Sequence, residues 1–191
     1  MKIILSFLAI VMVVGFSNKV IAQVTNTSDT ENTAVYAKLI RVMTIEEDAS
    51  LSFGTIVLTD AAVATVKIAT DGTQTIASGA AAISASDMQP ETAAAYHVTG
   101  TASEAYVVTF SSMTNVLATT TAANGSGTAT QMSVTDITVK FNTGSDQTSG
   151  YTSSLSEAGT DNFTVGGLLN INEAQIAGIY NGTFDVTVDY N

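Results

Sequence analysis

The chain of 191 residues has no cysteine, no tryptophan, a single proline and a single histidine. Without cysteine there is neither a disulfide to brace the fold nor a thiol to carry a lipid anchor. Packing and hydrogen bonding must therefore hold the domain together. A zinc site is close to excluded, because one histidine and no cysteine would force a ligand set made almost wholly of carboxylates. The lone His97, in "AAYHVTG", has no nucleophile linked to it by any motif, and no serine stands in a G-x-S-x-G elbow. If Tyr96 and Val98 face a core, His97 faces solvent. Basic residues are few as well, six against seventeen acidic ones. Nucleic acid and anionic membrane surfaces attract Lys/Arg clusters, so neither is an expected partner.

What is present begins with Lys2, an apolar run over residues 3–16, and "SNKVIA". Val20 and Ala22 stand at the small-residue positions of a cleavage site, so residues 1–22 are expected to be a signal peptide. The run is too short for a comfortable spanning helix, which needs roughly 20 apolar residues. Cleavage would remove Lys2 and Lys19 and leave four basic against seventeen acidic residues, a net charge of −13. The mature chain would carry no integral membrane segment. Export to the extracellular space or cell surface, or to the periplasm, follows from that expectation. Residues 23–34 are polar and aperiodic and read as a flexible leader; residues 35–191 read as one domain.

Within 35–191 the dominant signal is alternation at period two. Strands are expected from "AVYAKLIRVMTIEE" onward, where apolar residues fall on both faces and Lys38 and Arg41 lie on opposite ones, either as the charges of an edge strand or as long stems reaching the rim. In "LSFGTIVL" the apolar phase changes at Gly54, which suggests a bulge or bend. "ATVKIA" alternates cleanly and runs into "DGT" at 71–73, a hairpin turn signal. Further strands are expected over 96–99, 104–110, 115–119 and 129–141. In the last, Met132 and Val134 share one parity while Ile137, Val139 and Phe141 share the other, so an extra residue is expected at Thr135–Asp136. Gly-Thr pairs at 54, 72, 100, 127, 159 and 182 read as turn punctuation. Brief helical turns are expected near 80–88 and in "NEAQIAG" at 172–178, where Asn172 could cap and Gly178 terminate. Many short strands with such turns indicate an all-β sandwich or barrel.

Chemistry-bearing constellations are sparse. Calcium is less easily dismissed than zinc, since "EED" at 46–48 and "DNFT" at 161 supply carboxylates, but the EF-hand spacing is missing and a solvated acidic turn is the plainer reading. Distant carboxylates could in principle pair for glycoside hydrolysis, but the absence of tryptophan and the scatter of tyrosines argue against a sugar site. "GSG" at 125–127 and "VGG" at 165–167 lack the Lys-[ST] tail of a phosphate loop. No catalytic residue, metal ligand or cofactor is assigned. Asn26, Asn124 and Asn181 match the glycosylation acceptor pattern, as chance allows in a Thr/Ser-rich chain.

The segments "LSFGTIV" at 51–57, Y-x-V-T-G at 96–100, "MSVTDITVKF" at 132–141 and "FTVGGLLNINEAQIAGIYNGTFDVTVDYN" at 163–191 together resemble the DUF4402 family, secreted bacterial domains of unknown function. The motif residues are Gly54, Val165, Gly166, Gly167, Gln175, Gly178, Tyr180, Gly182 and Phe184, followed by the alternating Val186, Val188 and Tyr190. The "SNKVIAQ" region is similar to those of Bacteroidetes proteins. The ending is also similar to the last strand of fimbrial subunits and spore-coat-U-like domains. That likeness implies an immunoglobulin-like β-sandwich with Greek-key-type antiparallel strands, in which Tyr180 and Gly182 set the turn before a terminal strand with one buried face. It further implies self-association, or an envelope protein partner, through an edge strand.

The expected function is a non-enzymatic structural or adhesive role at the bacterial cell surface, fimbria-like in one version. The alternative is an envelope module that binds glycan or protein. A small extracellular hydrolase comes third. An exposed cluster among Tyr36, Tyr96, Tyr106, Tyr151 and Tyr180 would favour glycan binding.

Overall fold

A computed structural model describes residues 30–59, 63–79, 81–83, 90–111, 116–118, 131–142, 144–173 and 175–191. The expected signal peptide, most of the leader, residues 84–88 of the first helical candidate, and two of the glycosylation acceptors, Asn26 and Asn124, lie outside them. The chain divides into two units, Met1–Ala37 and Lys38–Asn191. The described part of the first, residues 30–37, is exposed and contains no strand.

The second unit is built from antiparallel strands, with no helix among the described residues. The first half of the chain supplies β1 (Thr44–Ala49), β2 (Ser52–Phe53), β3 (Ile56–Leu58), β4 (Ala64–Ile68) and β5 (Gln74–Gly79). It continues with β6 (Ala81–Ile83), β7 (Glu91–Thr92), β8 (Ala94–Thr99) and β9 (Ala105–Phe110). The second half supplies β10 (Val116–Ala118), β11 (Gln131–Phe141), β12 (Thr152–Ser154), β13 (Thr160–Ile171), β14 (Tyr180–Asn181) and β15 (Val186–Tyr190). The main sheet runs β1-β8-β13-β11-β10-β14, with the β4–β5 hairpin joined to β13; a second sheet runs β12-β9-β15. Two short pairs, β2-β7 and β3-β6, complete an all-β, sandwich-like fold.

The long strand β13 organises the main sheet. One of its edges pairs with β11 from Phe163 to Asn170. Its other edge pairs with β8 from Thr160 to Val165, then with β4 from Gly167 to Ile171. Gly166 is the switch. A Cβ there would stand 2.3 Å from the Ile68 carbonyl oxygen and 2.9 Å from the Ala69 carbonyl carbon, both backbone atoms that cannot swing aside. On the opposite face, a Cβ on Gly167 would press on Val134 and Ile137 at 3.0 and 3.2 Å. The Val-Gly-Gly motif is thus explained by backbone clearance at the place where β13 changes neighbour.

Across from this switch, β11 bulges as its apolar phase predicts. Thr135 pairs with Leu168 and Thr138 with Gly166, so Asp136 and Ile137 together oppose one residue. Asp136 takes φ 49°, the left-handed region. Two apolar clusters lie on either side of the bulge. The first joins Tyr96, Val98, Tyr106, Val108, Val139, Phe141, Phe163 and Val165, between the main sheet and β9. Tyr96 stacks on Phe163 with ring centroids 5.1 Å apart, and Phe141 meets the edge of Tyr106 at 5.8 Å. The second joins Ala64, Val66, Met132, Val134, Leu169 and Ile171 under the side chains of Leu51, Phe53, Ile56 and Leu58.

Other expectations meet the structure in detail. Gly54 takes φ 66° and separates β2 from β3. The 71–73 turn closes the β4–β5 hairpin: Gly72 takes φ 85° and the Asp71 carboxylate accepts a bond from the Thr73 amide at 2.9 Å. That bond holds the exposed Asp71 carboxyl below the ordinary carboxylate range.

Five expectations are corrected. Residues 34–43 form no strand; β1 begins only at Thr44, because the preceding run is apolar on both parities and finds no partner strand. The described residues of 172–178 form no helix; Asn172 instead donates to the Gln131 carbonyl and Gln175 to the Tyr180 hydroxyl, so their side chains tie the loop to its surroundings. Tyr180 does not belong to a turn before the last strand: Tyr180 and Asn181 are themselves β14, paired with β10, so the C-terminal motif serves two sheets. Ile83, from the first helical candidate, ends a strand. The acidic stretches expected as solvated turns are strand: 46–48 lie in β1, and Asp161 is buried in β13, where three donors satisfy it.

Candidate interaction surface

The groups that could do chemistry are engaged within the fold. Asp161, almost fully buried, accepts bonds from the Tyr106 hydroxyl at 2.9 Å, the Ser153 hydroxyl at 2.7 Å and the Asn162 amide at 2.8 Å. Burial first, and the Asp161 charge second, push the Tyr106 phenol far above its ordinary value. This carboxylate is satisfied by its neighbours, as a buried charge must be. His97 lies on the outer face of the main sheet, its Nδ1 2.6 Å from Asn162 Oδ1, beside its cross-strand neighbour Glu46. Glu46, Glu47 and Asp48 are exposed on β1, an edge strand, where charge discourages further pairing. Among the described residues no group of three or more His, Asp or Glu side chains could hold a metal ion.

The tyrosines form no exposed platform. Tyr96 and Tyr106 are core residues. Tyr151 is half-buried against Phe110, with its hydroxyl on the Ile137 carbonyl at 3.0 Å. Tyr180 is half-buried and gives its hydroxyl to the Ile176 carbonyl. Only Tyr36 of the five is exposed.

The remaining motif residues divide between core and edge. Val165 is fully buried and Phe184 packs half-buried beside Phe110 at 6.2 Å between ring centroids. Gly178 and Gly182 are exposed. Val186, Val188 and Tyr190 lie half-buried on the inner face of β15, while Thr187 and Asp189 face solvent. The terminal alternation is therefore real, but its inner face is only partly covered because β15 is an edge strand.

The exposed side of β15 can be stated atom by atom. The Ser111 amide donates to the Asp185 carbonyl at 2.9 Å, and the Asn191 amide to the Ala105 carbonyl at 3.0 Å. Odd-numbered residues of this strand thus bond β9. Antiparallel alternation then turns the main-chain groups of Val186, Val188 and Tyr190 the other way. Among the described residues no strand pairs with that edge.

Beside it runs the stretch 38–43, which its apolar residues had suggested was strand. It is anchored at its side instead. Lys38 Nζ meets Glu104 Oε2 at 2.7 Å, the Arg41 amide donates to Thr101 Oγ1 at 2.6 Å, and the Tyr190 hydroxyl donates to the Arg41 carbonyl at 2.9 Å. The same hydroxyl accepts from the Thr101 amide at 2.7 Å. Gly100 makes room for it, since a Cβ there would stand 2.6 Å from the phenolic oxygen. Residues 40–43 and 188–190 line an open groove of about 330 Å³. Leu39, Ile40 and Val42 are 88, 55 and 84% exposed, the reverse of their usual placement. Apolar side chains on both parities, with Lys38 and Arg41 among them, were legible in this stretch, but the want of a partner strand was not.

No helix among the described residues is long and apolar enough to cross a membrane, which leaves strand-built spanning out of account. The model of the family described as a domain of unknown function, DUF4402, matches residues 43–190, and the chain belongs to that family. Neither the curated proteins nor the solved structures contain a match to it.

Proposed function

We propose that this member of the DUF4402 family is an exported, non-enzymatic protein with a structural or adhesive role at the bacterial cell surface. The observation that carries the proposal is a division of labour among side chains. Asp161 and His97, which could serve chemistry, are bonded to their own neighbours, while Leu39, Ile40 and Val42 are held out to solvent beside an unpaired sheet edge. Exposed apolar side chains next to open main-chain donors and acceptors suit contact with another protein. The acidic composition and the apolar run at residues 3–16 support an exported chain.

A second version, a module binding an envelope protein, draws on the same edge. Glycan binding draws less support, because Tyr36 stands alone where stacked aromatic rings would be wanted.

The test is to treat intact cells with a membrane-impermeant amine-reactive label and with protease, then to fractionate them. Labelling and cleavage on intact cells are expected. Recovery of the protein wholly protected, in the cytoplasm or periplasm, would overturn the proposal.

A further inference from the structure

We infer that the Lys38–Leu39 peptide bond is a processing site, cut by an endoprotease that takes a basic side chain into an acidic pocket. Such a cut is independent of the surface role proposed above.

The fold sorts the basic residues by access. Lys2 and Lys19 lie in the expected signal peptide, and only four more follow. Lys67 stands in β4 opposite Leu168 on one side and Thr75 on the other. Lys140 stands in β11 opposite Thr164. The remaining two, Lys38 and Arg41, precede the first strand, on a stretch that is exposed and unpaired. A protease grips its substrate as an added extended strand, through main-chain bonds over several residues. A segment already paired within a sheet must unfold before it can be gripped; an exposed, unpaired one need not.

Hydrogen bonds decide between the two candidates. Arg41 is held by its own main chain: its amide donates to Thr101 Oγ1 at 2.6 Å, and its carbonyl accepts from the Tyr190 hydroxyl at 2.9 Å. That carbonyl is the group a protease would have to attack, so the bond after Arg41 is shielded. Lys38 is held through its side chain, which is 69% exposed and meets Glu104 at 2.7 Å. An ion pair so exposed contributes little and yields to a competing carboxylate. Beyond the cut, Leu39 and Ile40 are 88 and 55% exposed, which leaves apolar side chains free for the protease's further pockets.

The step is a hydrolysis in which water is the co-reactant. Its hydroxyl joins the Lys38 carbonyl carbon, the bond from that carbon to the Leu39 nitrogen breaks, and the nitrogen takes up the proton. The products end as a carboxylate on Lys38 and an ammonium group on Leu39. What is removed lies outside the core, since Met43 is the first residue packed against either apolar cluster and the family match starts at the same position. Both bonds of Arg41 survive the cut and keep the new terminus tied beside β15.

The experiment has two arms. The full chain is digested briefly with trypsin and its fragments are weighed, and the N-terminus of the protein recovered from its own cells is sequenced. A lasting fragment of residues 39–191 is expected from trypsin, formed before any cut at Arg41, Lys67 or Lys140. The cells should yield a chain that begins at Leu39. Lys38→Gln should slow the first cut by roughly a hundredfold, because it leaves the protease's acidic pocket unpaired, while Lys38→Arg should preserve it. Both variants alter an exposed side chain, so their circular dichroism should match wild type. Any other N-terminus on the native protein overturns the inference, as does trypsin cutting first after Arg41, Lys67 or Lys140.

Discussion

Gly166 sits against Ile68 so closely that the smallest added side-chain atom would lie 2.3 Å from the Ile68 carbonyl oxygen. The contact marks where β13 exchanges β8 for β4 as its neighbour. Gly166→Ala should therefore cost at least the ~1–3 kcal/mol typical of forced overpacking, because the opposing atoms are backbone. Urea denaturation would show the lowered midpoint. A variant as stable as wild type would mean that β4 can retreat from β13 without loss.

The bulge in β11 makes the opposite kind of prediction. Asp136 holds φ 49°, a conformation that costs an ordinary L-residue about 1–2 kcal/mol and glycine almost nothing. Asp136→Gly should leave stability unchanged or raised, and Asp136→Val should lower it by more than that range. Thermal melts of the pair provide the check.

How much of this could be read from the sequence depends on how local each cause is. The phase slip at Thr135–Asp136, the break at Gly54 and the Asp71–Gly72 turn were legible, because parity and turn chemistry act between near neighbours in the chain. The all-β class followed from the same local signals. The Gly166–Gly167 pair was recognisable as a motif, but its reason was hidden, since Ile68 lies about a hundred positions away in the chain. The placement of 34–43 was misjudged because apolar residues suggest a strand whether or not a partner exists. Tyr180 was assigned to a turn for a similar reason: its partner strand, β10, is a short segment far off in sequence. The knot of bonds around Tyr190 joins Arg41, Thr101 and the last strand, and no periodicity reports a contact of that range.

That knot is testable in its own right. Tyr190→Phe removes the hydroxyl that accepts from the Thr101 amide and donates to the Arg41 carbonyl. It should cost about 1–2 kcal/mol, the worth of one or two partly buried hydrogen bonds. Hydrogen exchange should quicken at Thr101, while the amides of β8 and β13 keep their protection. Unchanged exchange at Thr101 would show that the hydroxyl contributes nothing to holding the turn.

Alkaline pH should unfold the protein by way of its core tyrosines. Burial, with the nearby Glu47 charge adding to it, pushes the Tyr96 phenol up from 10.0 to about 12, and Tyr106 is raised further. The unfolded chain loses these protons first, so it gains on the folded one as pH climbs. Stability from Tyr96 is fully present below pH 10 and is lost progressively as pH rises towards 12. Tyrosinate absorbance should accordingly appear in two stages, exposed phenols first and the core pair only as near-ultraviolet dichroism collapses. A smooth titration of all tyrosines with the fold intact would contradict the packing of Tyr96 on Phe163.

The position of β13 also sets an order in time. Residues 160–171 pair with β4, β8 and β11, three strands that precede it in the chain. Until that segment is available, β4 and β8 lack the neighbour that joins them, and their apolar faces cannot be closed over. The sheet is completed backwards, by a late segment threading between early ones. Long loops must be closed before any of those pairings is rewarded, which slows folding. An incomplete chain is left with unpaired edges that invite aggregation. Truncation anywhere before residue 171 should thus leave a sticky, unfinished sheet in place of a smaller domain.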